Sequence, residues 1–142
     1  MAKKDKELLL KDLAARFPYG VVLDVDTTDW RAPQGHIQVK IEGYGVIFKD
    51  LSLIVNGSYY GDNYKPYLRP MSSMTEEERK EYNEYLFHGA SIGLMSNTET
   101  AYELIDWLNK NHFDYRGLIE MGLAIPVTKE NNPYEVRGQK NN

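Results

Sequence analysis

Residues 36–42, His-Ile-Gln-Val-Lys-Ile-Glu, alternate without a break, with Ile37, Val39 and Ile41 on one side and His36, Gln38, Lys40 and Glu42 on the other. A period of two with one apolar and one polar face specifies a strand that is half wet, the situation antiparallel sheets provide. This run constrains the fold more than any other, because a helix would turn Val39 away from Ile37 and Ile41, whereas a strand puts all three on one face. Val21 to Val25 reads as a shorter strand before it, and Trp30 lies in the intervening loop. Gly43-Tyr44-Gly45 is a turn, after which Val46-Ile47-Phe48 and residues 51–55 continue the strand texture. The inward phase changes across Lys49-Asp50, which predicts a turn or bulge there. Asn56-Gly57 closes the segment with a strong turn dipeptide.

Helical periodicity brackets this β region. In residues 5–17, Leu9, Leu13 and Phe17 recur every fourth position, and Leu10 and Ala14 widen the stripe. Asp5 is a candidate cap, and Pro18-Tyr19-Gly20 supplies the stop. Thr75 and Glu78 form a capping box in front of a helix over 76–87, whose sparse apolar face is Tyr82, Tyr85 and Leu86. Residues 88–97 read as a loop, with Ser96 and Glu99 as a second capping pair. The next helix runs to about residue 111 with Ala101, Leu104, Ile105 and Leu108 inward and Trp107 beside them. Asp114 opens a short helix over 115–121, stopped by a left-handed Gly122, and Leu123 to Val127 is an extended piece that packs back. The expected fold is α+β: an N-terminal helix, a small antiparallel sheet of three or four strands, and about three C-terminal helices on one sheet face. Residues 1–128 form the expected single domain, and the Asn-rich residues 129–142 a flexible tail.

Composition narrows the chemistry. The chain has no cysteine, which removes disulfides, cysteine zinc sites, iron–sulfur clusters and thiol nucleophiles. Its net charge of −4 gives no strong basic field for nucleic acid. No segment approaches the roughly 20 apolar residues of a membrane span. Leu8-Leu9-Leu10 is too short for the core of a signal peptide, so a cytoplasmic setting is expected.

Catalytic motifs are matched only superficially. Gly89-Ala90-Ser91-Ile92-Gly93 has the spelling of a nucleophile elbow but follows a polar helix instead of a strand. His112 and Asp114 have the spacing of a base and its orienter, yet a helix end followed by a cap explains them more simply. Asp24, Asp26, Asp29 and Glu42 lack a glycine-anchored calcium loop, and His36, His88 and His112 have no metal-ligand spacing. No cofactor and no metal is called for, and the sequence leans away from an enzyme.

The most distinctive segment is the run from Tyr59 to Arg69. It holds four of the eleven tyrosines, with two prolines close by at positions 66 and 70. Tyr59, Tyr60, Tyr64 and Tyr67 fit neither strand nor helix period well. Two readings compete. The rings close the core between sheet and helices, or Tyr59, Tyr60, Tyr64, Lys65, Tyr67 and Arg69 form a binding surface, since tyrosine combines a large rigid area with a polar tip. On the second reading the chain is a non-enzymatic protein-interaction module, working on a protein partner or as a homo-oligomer. The alternative is a small-molecule or nucleotide-binding module using the same tyrosines.

Three segments carry a family resemblance: residues 5–21 (DKELLLKDLAARFPYGV), 65–78 (KPYLRPMSSMTEEE) and 106–125 (DWLNKNHFDYRGLIEMGLAI). Together, about a third of the chain, they resemble a family of small uncharacterised proteins encoded in gut Bacteroidales genomes and in their phages and mobile elements. The resemblance implies a bacterial or phage cytoplasmic setting and an accessory role, and brings no catalytic residue with it. At the level of local structure, Thr75→Ala should cost about 1 kcal/mol, the usual loss for an N-cap side chain. A denaturant midpoint equal to that of the parent chain would show that the cap is not formed.

Overall fold

A computed structural model describes residues 2–26, 35–41, 46–47, 53–55, 58–61, 64–91 and 97–134. It is α+β, with an N-terminal helix, a four-stranded mixed sheet, and further helices and strands. Helix α1 spans Lys3–Arg16 and continues as a 3-10 turn over Phe17–Tyr19. Its N-cap is Ala2, with no side-chain bond, so Asp5 lies inside the first turn and is not the cap. Pro18 enters the 3-10 turn, and Gly20 at φ 71° ends it. Strands β1 (Val22–Asp26), β2 (His36–Lys40) and β6 (Tyr64–Leu68) form the sheet with β7 (Ile125–Pro126), in the order β2-β1-β6-β7. β1 is antiparallel to both neighbours, with Asp24 opposite Gln38 on one side and Lys65 on the other. β7 runs parallel to β6, which makes the sheet mixed where an antiparallel one was expected. β3 (Val46–Ile47), β4 (Leu53–Val55) and β5 (Ser58–Gly61) form a separate antiparallel meander. Its register shifts between Leu53 and Ile54. Lys49-Asp50, Asn56-Gly57 and the acidic pair Asp29 and Glu42 lie outside the described residues.

One buried cluster joins α1 (Leu9, Leu10, Leu13), β1 (Leu23, Val25), β6 (Tyr64, Leu68) and the C-terminal turns (Leu118, Leu123, Ala124). Ala14, expected inward, is exposed. Its place in the buried stripe is taken by two charged residues, Asp12 and Arg16, both 0% exposed. Arg16 donates to Asp12 through Nε at 2.7 Å and through Nη2 at 3.2 Å, and Nη2 also donates to the Phe113 carbonyl at 2.7 Å. Arg116 reaches the same carboxylate from 104 residues further along the chain, with Nε 3.1 Å from Asp12 Oδ1. A polar pair has thus been used as a bolt between α1 and residues 113–116.

α2 covers Glu76–Ser91 and α3 covers Asn97–Lys110. The capping box forms: the Thr75 amide donates to Glu78 Oε1 at 2.9 Å, and the Glu78 amide donates to Thr75 Oγ1 at 3.1 Å. α2 runs on through residues 88–91, so Gly89 and Ser91 are helical and the elbow geometry is absent there. Ser96 lies outside the described residues. On α3, Leu108 is buried and Leu104 half-buried, but Ala101 and Ile105 are exposed and not inward. α3 ends in a Schellman motif: the Phe113 amide donates to the Leu108 carbonyl at 3.0 Å and the His112 amide to that of Asn109 at 3.1 Å. His112 therefore occupies the left-handed position, at φ 64°.

Residues 115–122 form a chain of turns instead of a third C-terminal helix. Gly117 at φ 76° breaks the helical path. The Asp114 carboxylate takes the amides of Leu118 and Ile119 at 2.8 and 2.9 Å. Gly122 is left-handed at φ 76°, as its position implied. Within the polar stretch after residue 128, the Tyr134 ring stacks on His112 with centroids 3.6 Å apart, and residues 135–142 lie outside the described residues. Asp12→Ala should cost about 3–5 kcal/mol, because it leaves buried guanidinium charge uncompensated. Urea denaturation reads this directly, and a loss under about 1 kcal/mol, the scale of a surface pair, would mean that the bolt holds nothing.

Candidate functional site

Strand β6 carries most of the sequence-predicted binding set, and its position decides their fate. β6 is an inner strand, flanked by β1 and β7, and all of its side chains except Lys65 are buried. Tyr64 is 3% exposed and belongs to the core cluster. Tyr67 points to the other face and is 5% exposed. These two rings are core filling, and the expectation of a surface role fails for them. Lys65 is exposed on the sheet face opposite the core cluster. Tyr59 and Tyr60 lie on β5 of the other sheet, where Tyr59 pairs with Ile54. Tyr64 and Tyr67 are thus covered and on opposite faces of β6, while Lys65 is exposed.

Arg69 is committed to structure. Its guanidinium makes a two-pronged contact with Glu78, Nη1 to Oε2 at 2.8 Å and Nη2 to Oε1 at 2.6 Å. The same group lies 4.2 Å above the Phe113 ring. Its backbone is held as well: the Arg69 amide donates to the His112 carbonyl at 2.7 Å, and the Asp114 amide donates to the Arg69 carbonyl at 2.8 Å. Glu78 thereby serves the helix cap and the arginine together. The Arg69 hydrogen bond is the main cause holding its carboxyl below the usual range, with the Thr75 amide adding to it. Behind Phe113 the aromatic contact continues to Trp107 at 5.6 Å, which in turn meets Tyr85 at 6.0 Å and Tyr82 at 6.4 Å.

The sheet face away from the core presents an arrangement with acid–base potential. His36 Nδ1 lies 2.8 Å from Asp24 Oδ2, across the β1–β2 ladder. The His36 side chain is 61% exposed and that of Asp24 only 12%, so the carboxylate orients a ring that is open to solvent. Asp26 sits opposite His36 in the register, and Lys65 opposite Asp24. Gln38 Nε2 reaches over β1 to the Tyr67 hydroxyl at 3.5 Å. Sequence reading had placed His36 and Asp24 on polar strand faces without pairing them, and the signal that could have paired them is hairpin register. The hydrogen bond to Asp24, then its charge, raises the His36 pKa above the ordinary value. With Nδ1 facing the carboxylate, Nε2 is the atom free to exchange a proton. Among the described residues, no group of three or more His, Asp or Glu side chains is arranged to hold a metal ion.

A scan against protein-family models finds no match, and searches of the curated proteins and of the solved structures return none either. Among the described residues, no helix is long and apolar enough to cross a membrane.

The His36–Asp24 pair predicts a pH effect with a defined sign. A raised folded pKa means that the pair contributes stability fully below the unfolded value of about 6.5 and loses it as pH rises through the folded value. In an NMR titration, Asp24→Asn should bring His36 back toward its ordinary pKa. An unchanged titration midpoint would show that the carboxylate does not act on the ring.

Proposed function

We propose that the chain is a non-enzymatic protein-interaction module whose working surface is the outer face of α2, and that its partner there is a second copy of itself. The observation that carries this reading is Phe87, 69% exposed on a helix otherwise rich in charge. Glu76, Arg79, Lys80, Asn83, Glu84 and Phe87 recur at helical spacing and line one shallow groove. Leu86, Tyr102 and Ile105 are also large and exposed, at 44%, 68% and 38%. They sit near the same level of the α2–α3 pair, judged from where Tyr85 meets Trp107.

The choice of partner follows from charge. The groove holds two cations, Arg79 and Lys80, and two anions, Glu76 and Glu84, around one aromatic ring. Two such helices packed antiparallel about a two-fold axis near Asn83 bring Lys80 of each close to Glu84 of the other, and each Phe87 over the opposing Arg79–Asn83 stretch. A two-fold interface needs this kind of self-complementary patch. The family resemblance of residues 5–21, 65–78 and 106–125 supports a bacterial or phage cytoplasmic setting and an accessory role. The reading of the tyrosine-rich segment as a ligand surface has less support, since Tyr64 and Tyr67 are covered.

The test is sedimentation equilibrium across the micromolar to millimolar range. The parent chain is expected to be a reversible dimer, and Phe87→Ser should weaken association by roughly tenfold or more, as loss of a central aromatic anchor does. Exchanging Lys80 and Glu84 in the same chain should preserve it. A parent chain that stays monomeric throughout, or a Phe87→Ser dimer of equal strength, overturns the proposal.

A further inference from the structure

The β1–β6 ladder contains a side chain where a backbone bond belongs. Leu23 faces Pro66 in the register, so the next pair along is Val22 with Tyr67. Pairs in an antiparallel ladder alternate between bonded and non-bonded kinds, and because the Val21 carbonyl accepts from Ile41 on the β2 side, Val22 turns its N–H toward β6, where a direct bond to Tyr67 belongs. Here the Tyr134 hydroxyl stands between them: it accepts from the Val22 amide at 3.1 Å and donates to the Tyr67 carbonyl at 2.6 Å. The Tyr134 ring lies flat on His112, with 9° between the planes and 3.6 Å between centroids. The phenol is thus read at three points, by a donor, an acceptor and an aromatic floor.

The floor itself is unusual. His112 fills the left-handed position of the α3 Schellman motif, where glycine is the unstrained choice. Its Nδ1 is buried without a hydrogen-bond partner among the described residues. Burial, then the charges of Arg16 on α1, Arg69 after β6 and Lys40 on β2, holds its pKa down to about 4. At neutral pH the ring is an uncharged platform. A side chain that costs strain in that place has its evident use in the stack.

Among the described residues, one backbone bond ties residues 127–133 to the rest of the chain ahead of Tyr134. The Val127 amide donates to the Leu68 carbonyl at 2.8 Å. The next bonds, between Thr128 and Asn131 and from the Tyr134 amide to Asn132 Oδ1, stay within the segment. Residues 128–131 are exposed. Tyr134 therefore enters its notch as a ligand on a short tether.

We propose that the notch formed by the Val22 amide, the Tyr67 carbonyl and the His112 ring is a phenol-binding site, occupied in this state by the chain's own Tyr134 and able to take a para-alkyl phenol when that ring is withdrawn. Two sources share this chemistry: a free phenol, and the tyrosine of a segment 127–134 supplied by another copy. Discrimination rests on the hydroxyl, which must accept and donate at once, so an ether or a bare arene leaves one or both backbone groups unpaired.

The experiment uses the full chain with Tyr134→Ala, and the probes para-cresol, para-methylanisole and toluene. Para-cresol should raise the thermal midpoint of the variant by roughly 3–6 °C at ten times its dissociation constant, while leaving the parent chain, whose notch is filled, unmoved. Para-methylanisole and toluene should do far less. A peptide of residues 127–138 should stabilise the variant at lower concentration than cresol if the tethered source is preferred, and no better than cresol if a free phenol suffices. His112→Gly placed in the Tyr134→Ala background should abolish the cresol effect. Should Tyr134→Ala not fold, refolding on addition of cresol but not toluene is the supporting readout. Equal shifts with toluene, equal shifts in the parent chain, or no response to cresol overturn the proposal.

Discussion

The Asp12–Arg16 pair is the contact on which the arrangement of this protein turns. Both residues are fully buried on α1, at positions where an amphipathic helix would place apolar side chains. Removing two charges from water is costly, and the pair repays that only through many short contacts. Those contacts are what join α1 to a segment about a hundred residues later: the Phe113 carbonyl and the Arg116 side chain both come to it. Tyr115 adds its ring, with the Arg16 guanidinium 5.1 Å and the Arg116 guanidinium 5.3 Å from its centroid. An apolar pair of equal volume would pack, but it would not dictate that residues 113–116 meet α1 in this one way.

A second linkage starts where the first ends. Phe113 offers its carbonyl to Arg16 and one face of its ring to Arg69, while Trp107 stacks against the same ring. Arg69 passes the connection to Glu78, and Glu78 caps α2. The α2–α3 pair is therefore fixed to the sheet by a mixed path of rings and ion pairs. Both linkages draw on three stretches of the chain, residues 5–21, 65–78 and 106–125.

Much of the architecture could be read from residue pattern, and the misses have physical causes. The alternation at 36–42 and the stripe of Leu9 and Leu13 located β2 and α1, and the Thr75–Glu78 box located the start of α2. These signals are local, and local rules govern them. Asp12 and Arg16 were not foreseen as core because burial of charge depends on partners about a hundred residues away. Gly117 was passed over, although its freedom at positive φ is what prevents a helix over 115–121. The tyrosine-rich run leaves core filling and a binding surface both open because its period is irregular. It is irregular because it spans two strands belonging to two sheets, β5 and β6. His36 with Asp24, and Tyr134 with His112, depend on register and on chain return, which no single window of sequence contains.

The order β2-β1-β6 has a consequence for how freely this chain can change length. β2 and β6 are both antiparallel to β1, so they run parallel to each other with one strand between them. The chain leaving β2 beside Val22 must travel back along the sheet before β6 can begin beside Val25. A tight turn cannot make that journey; a crossover of about a dozen residues or more is needed. In this protein the crossover contains the small meander β3-β4-β5 where a helix is the common solution. Lengthening such an excursion is cheap, since each doubling of a flexible loop adds only about 0.6 kcal/mol of closure entropy. Shortening it below the crossing distance would unthread β6. The meander is thus a region where descendants of this sequence can gain residues readily and lose them only down to a geometric floor.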